Sequence, residues 1–153
     1  MGSKKDGNES RKAGFTERNK SADFGGEPFV TRISDAVEHN DCFRAALWSG
    51  CHLQMTLMCI PCGGEIGAEV HPETDQFLCI ESGSGCVKMS ICGANICKNI
   101  YAGDGIFIPA GARHNLVNTG ECPLKLYSIY APPQHRKGTV HRTKADADAA
   151  ERH

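Results

Sequence analysis

Between Phe43 and Tyr130 the chain is a succession of short apolar or alternating runs, each closed by a turn signal. "FRAALW" stops at "SG", "LQMTLMCI" at "PCGG", "DQFLCI" at "ESGSG" and "CVKMSIC" at "GAN". "ICKNIY" then stops at "AGDG", "GIFI" at "PAGA", "HNLVN" at "TGECP" and "LKLYSIY" at "APP". Runs this short and evenly spaced, with no long helical period between them, predict eight or more strands in an all-β antiparallel sandwich or barrel. Ahead of them, "SDAVEHND" at 34–41 predicts one helical turn opened by Ser34 or Asp35 as a cap.

The flanks have a different pattern. Residues 1–26 are polar, rich in Lys, Ser, Gly and Asn, and offer little to bury, so they are expected to form a disordered arm. Residues 134–153 read as a polar tail whose end, "KADADAAERH", has helix-forming composition but no apolar stripe: a surface helix or a frayed end. The domain is therefore placed at 27–133.

Composition narrows the classes. A chain of 153 residues, 40% apolar and 23% charged, is ordinary for one soluble domain. A formal net charge of −1 gives no electrostatic case for nucleic acid or an anionic membrane surface. No apolar run approaches the ~20 residues of a membrane span, no signal-peptide core is present, and "MGSKKD" carries Asp6 where a myristoylation signal wants Ser or Thr. The expected location is the cytoplasm.

Nine cysteines, an odd number without a secretion signal, argue against a disulfide framework. Most lie inside apolar runs, where a free thiol is expected to be buried as a small hydrophobe. "CIPC" at Cys59–Cys62 has the spacing of a redox pair, but Gly63-Gly64 follows where that motif needs a helix start.

Two stretches concentrate chemistry. "EVHPETDQF", Glu69 to Phe77, packs three carboxylates, a histidine and a carboxamide around one proline, either as a solvated turn or as part of a metal site. Strand parity puts Glu69 and His71 on one face and, beyond the turn, Gln76, Leu78 and Ile80 on one face with Asp75, Phe77, Cys79 and Glu81 on the other. Glu73 falls in the turn, in solvent. In "GDGIFIPAGARHNLVN" a strand is halted by Pro109, reversed through Gly111 and restarted at His114, which holds the imidazole on rigid backbone.

The second stretch, Gly103-x5-Pro109-x-Gly111-x2-His114-x3-Asn118, resembles the second signature of the cupin superfamily at every fixed position. The first signature falls on Gly63-x5-Glu69-Val70-His71-x4-Gln76-x6-Gly83, with Glu69 in place of a histidine and Gln76 in place of a glutamate. Together the two cover about residues 43–131, and "EVHPETDQF" and "LYSIYAPPQH" further resemble small bacterial single-domain cupins loosely called mannose-6-phosphate-isomerase-like. The resemblance implies a cupin-type β-barrel (a double-stranded β-helix, or jelly roll) and metal ligands at Glu69, His71, Gln76 and His114. The exchange moves the carboxylate but keeps one negative charge in the set. Two histidines and a carboxylate suit Fe(II), with Mn, Co, Ni or Zn also compatible.

Of the other histidines, His39, His135, His141 and His153 read as structural or solvated, and His52, beside a barrel strand, as the one further candidate for the pocket. Phe77 and Phe107 are expected in the core; Trp48 and Tyr130 fit an interface or a pocket rim equally.

Two functions follow. The first is a metalloenzyme of dioxygenase, isomerase, decarboxylase or lyase class acting on a small oxygen-rich or carboxylate substrate, with Glu69 as ligand or catalytic base. The second is a non-catalytic module binding a small anionic or sugar-like ligand. Exposed barrel edges and the resemblance to small cupins both point to a homodimer.

Overall fold

The computed structural model describes residues 23–151. A short helix α1 (Ile33–Glu38) precedes β1 (Arg44–Ser49), β2 (Gln54–Ile60), β3 (Glu69–Val70), β4 (Asp75–Ser82) and β5 (Ser84–Ile91). Then come β6 (Ala94–Tyr101), β7 (Gly105–Ile108), β8 (Arg113–Asn118), β9 (Leu124–Ala131), β10 (Val140–His141) and α2 (Lys144–Glu151). They form a six-stranded sheet in the order β10-β1-β2-β9-β4-β7 and a four-stranded sheet in the order β3-β8-β5-β6. Every pairing between named strands is antiparallel. Each of the eight strand runs read from the sequence is a strand here.

Alternation explains the packing. Even-numbered residues of β2, β4 and β9 face inward, and the interior they build is divided along the strands. At one end Met58, Ile60, Leu78, Ile80, Leu124 and Leu126 are fully buried with Leu116 and Val87 of the other sheet. One or two pleats further along the same strands, the inward residues are Gln54, Thr56, Gln76, Ser128 and Tyr130, also buried. Register aligns this polar half across the sheet: Gln54 pairs with Tyr130, Thr56 with Ser128, and Gln76 with Tyr130.

Gly111 has φ +85 in the reversal after Pro109, a left-handed conformation that suits glycine. Its N–H donates to the His71 carbonyl at 2.9 Å, and the Ala110 N–H donates to Asp75 Oδ1 at 2.8 Å, so the two motifs are stitched together by backbone. Gly83 has φ +90, and a Cβ there would meet the Pro123 carbonyl oxygen at 2.8 Å.

Several expectations are corrected. Phe107 is 76% exposed and Phe77 only half-buried; their rings pack 4.7 Å apart on the outer face of the large sheet. The parity that turns Gln76 inward turns Phe77 outward, and Phe107 pairs with it across the ladder. The same parity turns Cys59 of β2 and Cys79 of β4 outward; none of the nine cysteines is buried, and Cys51, Cys62, Cys92, Cys97 and Cys122 are exposed. Burial pushes the Cys59 thiol up, opposite to what a reactive redox cysteine needs. Helix α1 begins at Ile33 after Arg32, which makes no side-chain cap; Asp35 instead stands in the first turn, 3.6 Å from the Arg32 guanidinium.

The ends of the chain are also used. The disorder expected over residues 1–26 falls, up to residue 22, outside the described residues, as does His153. From there, the Asp23 carboxylate accepts hydrogen bonds from Gly25, Ser49 and Gly138. The segment read as a polar tail adds β10 to β1 and lays Ala147 of α2, 3% exposed, onto the core. Among the described residues no helix is long and apolar enough to cross a membrane.

Candidate metal centre

The pairing of two short strands assembles the site. Glu69 of β3 lies directly across from His114 of β8, and His71 follows on the same face after the exposed Val70. Glu69 Oε1 stands 3.3 Å from His71 Nε2 and 3.3 Å from His114 Nε2. These three ligand atoms lie within 4.8 Å of one another, and both histidines are buried.

The local chemistry prepares each atom for a cation. His114 Nδ1 donates to the Ala112 carbonyl at 3.1 Å; a carbonyl only accepts, so Nδ1 carries the hydrogen and Nε2 is the ring atom left to face Glu69 or a cation. Glu69 Oε1, His71 Nε2 and His114 Nε2 are all buried and face one another, with no hydrogen-bond partner elsewhere among the described residues. Burial alone would raise the Glu69 carboxyl, but the facing imidazoles of His114 and His71 and the charge of Arg44 outweigh it. The net effect holds the carboxyl well below the usual carboxylate range. One carboxylate and two imidazoles converging with no partner but one another fit a divalent ion of the first transition row.

Gln76, the fourth ligand of the sequence reading, is buried on the same inner face. Its Nε2 donates to Ser128 Oγ at 2.9 Å, which leaves the buried Oε1 without a partner. Asp75 faces out, as parity requires, and Glu73 is exposed. His52 is exposed too, in the bend between β1 and β2, so it does not line the lumen.

Three lumen residues escaped the sequence reading. Arg44, at the start of β1, is 2% exposed. Tyr130, which the sequence left between interface and rim, is fully buried, its ring 5.8 Å from His71 and 5.2 Å from His135. His135 lies outside every strand and carries no periodic signal. It is fixed through its backbone by Gln54, whose Oε1 accepts from the His135 N–H at 2.9 Å and whose Nε2 donates to the His135 carbonyl at 2.8 Å. Burial first, and the Arg44 charge second, push the His135 imidazole down to about 3, so it is neutral. A cavity of about 250 Å³ opens onto Glu69 and Arg44, and Lys144, Asp148 and Glu151 of α2 line it as well.

With this geometry in place, comparison with known proteins is direct. A family model described as a cupin domain matches residues 56–130. YrkC of Bacillus subtilis strain 168 is 56% identical over 131 residues, spanning 84% of this chain and 70% of that protein. The chain belongs to the cupin family. L612 of Acanthamoeba polyphaga mimivirus is 30% identical over 115 residues, covering 73% of this chain and 70% of its own length. The crystal structure of BH2720 from Bacillus halodurans superposes with a TM-score of 0.81 at 52% identity, over 84% of this chain and 98% of that one. This cupin thus keeps the double-stranded β-helix while placing Glu69 and Gln76 where the signature has histidine and glutamate.

Proposed function

We propose that this cupin is a metalloenzyme that holds a divalent ion on Glu69, His71 and His114, with the Gln76 amide oxygen as fourth ligand. Its substrate is a small oxygen-rich or carboxylate molecule. The observation that carries the reading is the convergence of three buried ligand atoms of the right types, partnered by nothing but one another. The ion, whether Fe, Mn, Co, Ni or Zn, would supply Lewis acidity at open positions. The chain's own residues fix the tautomer of His114 through Ala112, keep Glu69 ionised and exclude bulk water by burial of both imidazoles. A carboxyl held this far down is a poor proton acceptor, so the ligand role of Glu69 is favoured over a catalytic-base role. The reaction lies in the dioxygenase, isomerase, decarboxylase or lyase classes.

Elemental analysis of the purified protein tests the centre. Close to one divalent ion per chain is expected, lost in His114→Ala and in Glu69→Gln, reduced in Gln76→Ala and retained in Glu73→Gln. Absence of metal after reconstitution of the wild type would sink the metal reading. Oxygen uptake or product formation by the loaded protein then separates catalysis from simple binding.

A further inference from the structure

The lumen holds a second polar group that metal ligation does not use. Arg44 is 2% exposed, yet it forms no ion pair among the described residues. Its one hydrogen bond is from Nη1 to His141 Nδ1, a long 3.4 Å, and its Nε is buried without a partner. The guanidinium carbon also lies 5.3 Å from the centre of the Phe43 ring. A buried guanidinium left without a carboxylate is costly, and Arg offers a planar fork of donors matched to one.

The surroundings lack the same thing. Arg44 is near enough to Glu69, Tyr130 and His135 for its charge to act on all three. The Tyr130 hydroxyl and His135 Nε2 are buried without hydrogen-bond partners, although the hydroxyls of Thr56 and Ser128 stand close to Tyr130. Arg44 and Glu69 both line the 250 Å³ cavity beneath α2. Lys144 at its mouth is already paired with Asp148 at 2.8 Å, so the uncommitted cation is the inner one.

We infer that Arg44 forms an anion subsite beside Glu69 that takes the carboxylate of a small oxygen-bearing acid. The inference rests on the metal reading for its sharpest form, through charge. Arg44 and Lys144 against Glu69, Asp148 and Glu151 leave the cavity lining at minus one; a divalent ion on Glu69 turns that to plus one, and a single carboxylate neutralises it. Size agrees: 250 Å³ is below the roughly 300–1,000 Å³ of pockets for drug-sized ligands, which fits an acid of a few heavy atoms. One carboxylate oxygen pair on the guanidinium and one adjacent oxygen turned towards the Glu69 side would span the two groups.

Glycolate and its uncharged isostere glycolamide are the probes, titrated calorimetrically into zinc-loaded and metal-free protein. Glycolate is expected to bind at least tenfold more tightly than glycolamide, and more tightly when zinc is present. Arg44→Met is expected to weaken glycolate by about tenfold to a hundredfold, the loss of hydrogen bonds to a charged group, while zinc content is unchanged. Arg44→Lys, which keeps the charge and loses the fork, should fall between and guards against a folding defect in Arg44→Met. Equal affinity for the two probes, an unchanged glycolate affinity in both Arg44 variants, or no glycolate binding at millimolar concentration overturns the subsite. The two readings fail separately. A protein that binds zinc but not glycolate keeps the metal centre and loses the anion subsite. One that binds glycolate through Arg44 without ever retaining metal keeps the subsite and loses the centre.

Discussion

Asp23 is a clasp whose removal should be felt in the lumen. Its Oδ1 accepts the N–H groups of Gly25 and Ser49 at 2.9 Å each, and its Oδ2 accepts the Ser49 hydroxyl at 2.5 Å and the Gly138 N–H at 2.9 Å. One carboxylate thus ties the entry of the described chain to the end of β1 and to the turn that follows His135. Hydrogen bonds to a charged group contribute ~1.5–3 kcal/mol each when well buried. This carboxylate is only partly buried and its four bonds share one anchor, so solvent screening and non-additivity reduce the sum to about 2 kcal/mol for Asp23→Ala. In a chain of this size that is a drop of roughly 4–8 °C in Tm. Asp23→Asn keeps one acceptor oxygen and should lose about half as much.

The pH dependence of the clasp has a definite sign. Burial would raise the carboxyl, but the Ser49 hydroxyl and the Gly138, Gly25 and Ser49 N–H groups together bring it below its ordinary 3.8. A group depressed on folding contributes stability that is fully present above its unfolded value and lost as pH falls through the folded one. Wild type and Asp23→Ala should therefore differ by a constant amount from pH 7 down to about 5, then converge as pH falls below about 3.8. Urea unfolding followed by circular dichroism across that range is the assay. A difference under about 0.5 kcal/mol at pH 7, the scatter of neutral surface changes, or one that grows on acidification, would refute the reasoning.

Three further predictions follow from outward-facing side chains. Thiol reagents should label Cys51, Cys62, Cys92, Cys97 and Cys122 in the native protein, with Cys59 slower. Peroxide should join Cys86 to Cys97, whose Sγ atoms are 3.6 Å apart, the oxidant taking both thiol hydrogens and leaving as water; peptide mapping that finds both still free under conditions oxidising the other exposed thiols counts against it. If the homodimer forms through the outer face of the large sheet, where Phe77 lies 4.7 Å from Phe107 and 6.3 Å from Tyr127, Phe107→Asp should bring the light-scattering mass down to 16.5 kDa. A wild type already at that mass would remove the dimer.

The fold was legible because alternation and turn residues are local signals. Leu78 and Ile80 announce an inner face wherever they are read, and the Pro109–Gly111 reversal fixes where β8 restarts. The three-ligand group was legible for the same reason, since parity links Glu69 to His71 and the second motif delivers His114. Parity was misjudged only where residue type was allowed to override it. Phe77, Phe107, Cys59 and Cys79 are apolar in kind but outward in position. What local signals could not show was the contribution of contacts distant in sequence. His135 reaches the lumen because Gln54, 81 residues earlier, holds its backbone. Arg44 is buried because β10 and α2 return over β1, and the sequence of "QHRKGTVHRTKADADAAERH" carries no pattern that foretells it.

The division of the lumen is itself evidence about what the protein is for. Eight buried polar atoms among the described residues lack hydrogen-bond partners, and they belong to Arg44, Thr56, Glu69, His71, Gln76, His114, Tyr130 and His135. A buried polar group without a partner costs ~1–3 kcal/mol, so a sequence selected for stability alone would replace them. The same strands show that it could: Thr56 stands one pleat from Met58, Gln76 one pleat from Leu78, and Ser128 one pleat from Leu126, and these apolar residues are fully buried. The barrel closes equally well around either kind of residue. The polar half is therefore explained by what enters it, and its composition sets the terms of entry. One carboxylate and two imidazoles ask for a cation, while an unpaired guanidinium, a phenol and a neutral imidazole ask for an anion. The small acid proposed above would partner Arg44 from one side while a metal ion on Glu69, His71 and His114 took up the other.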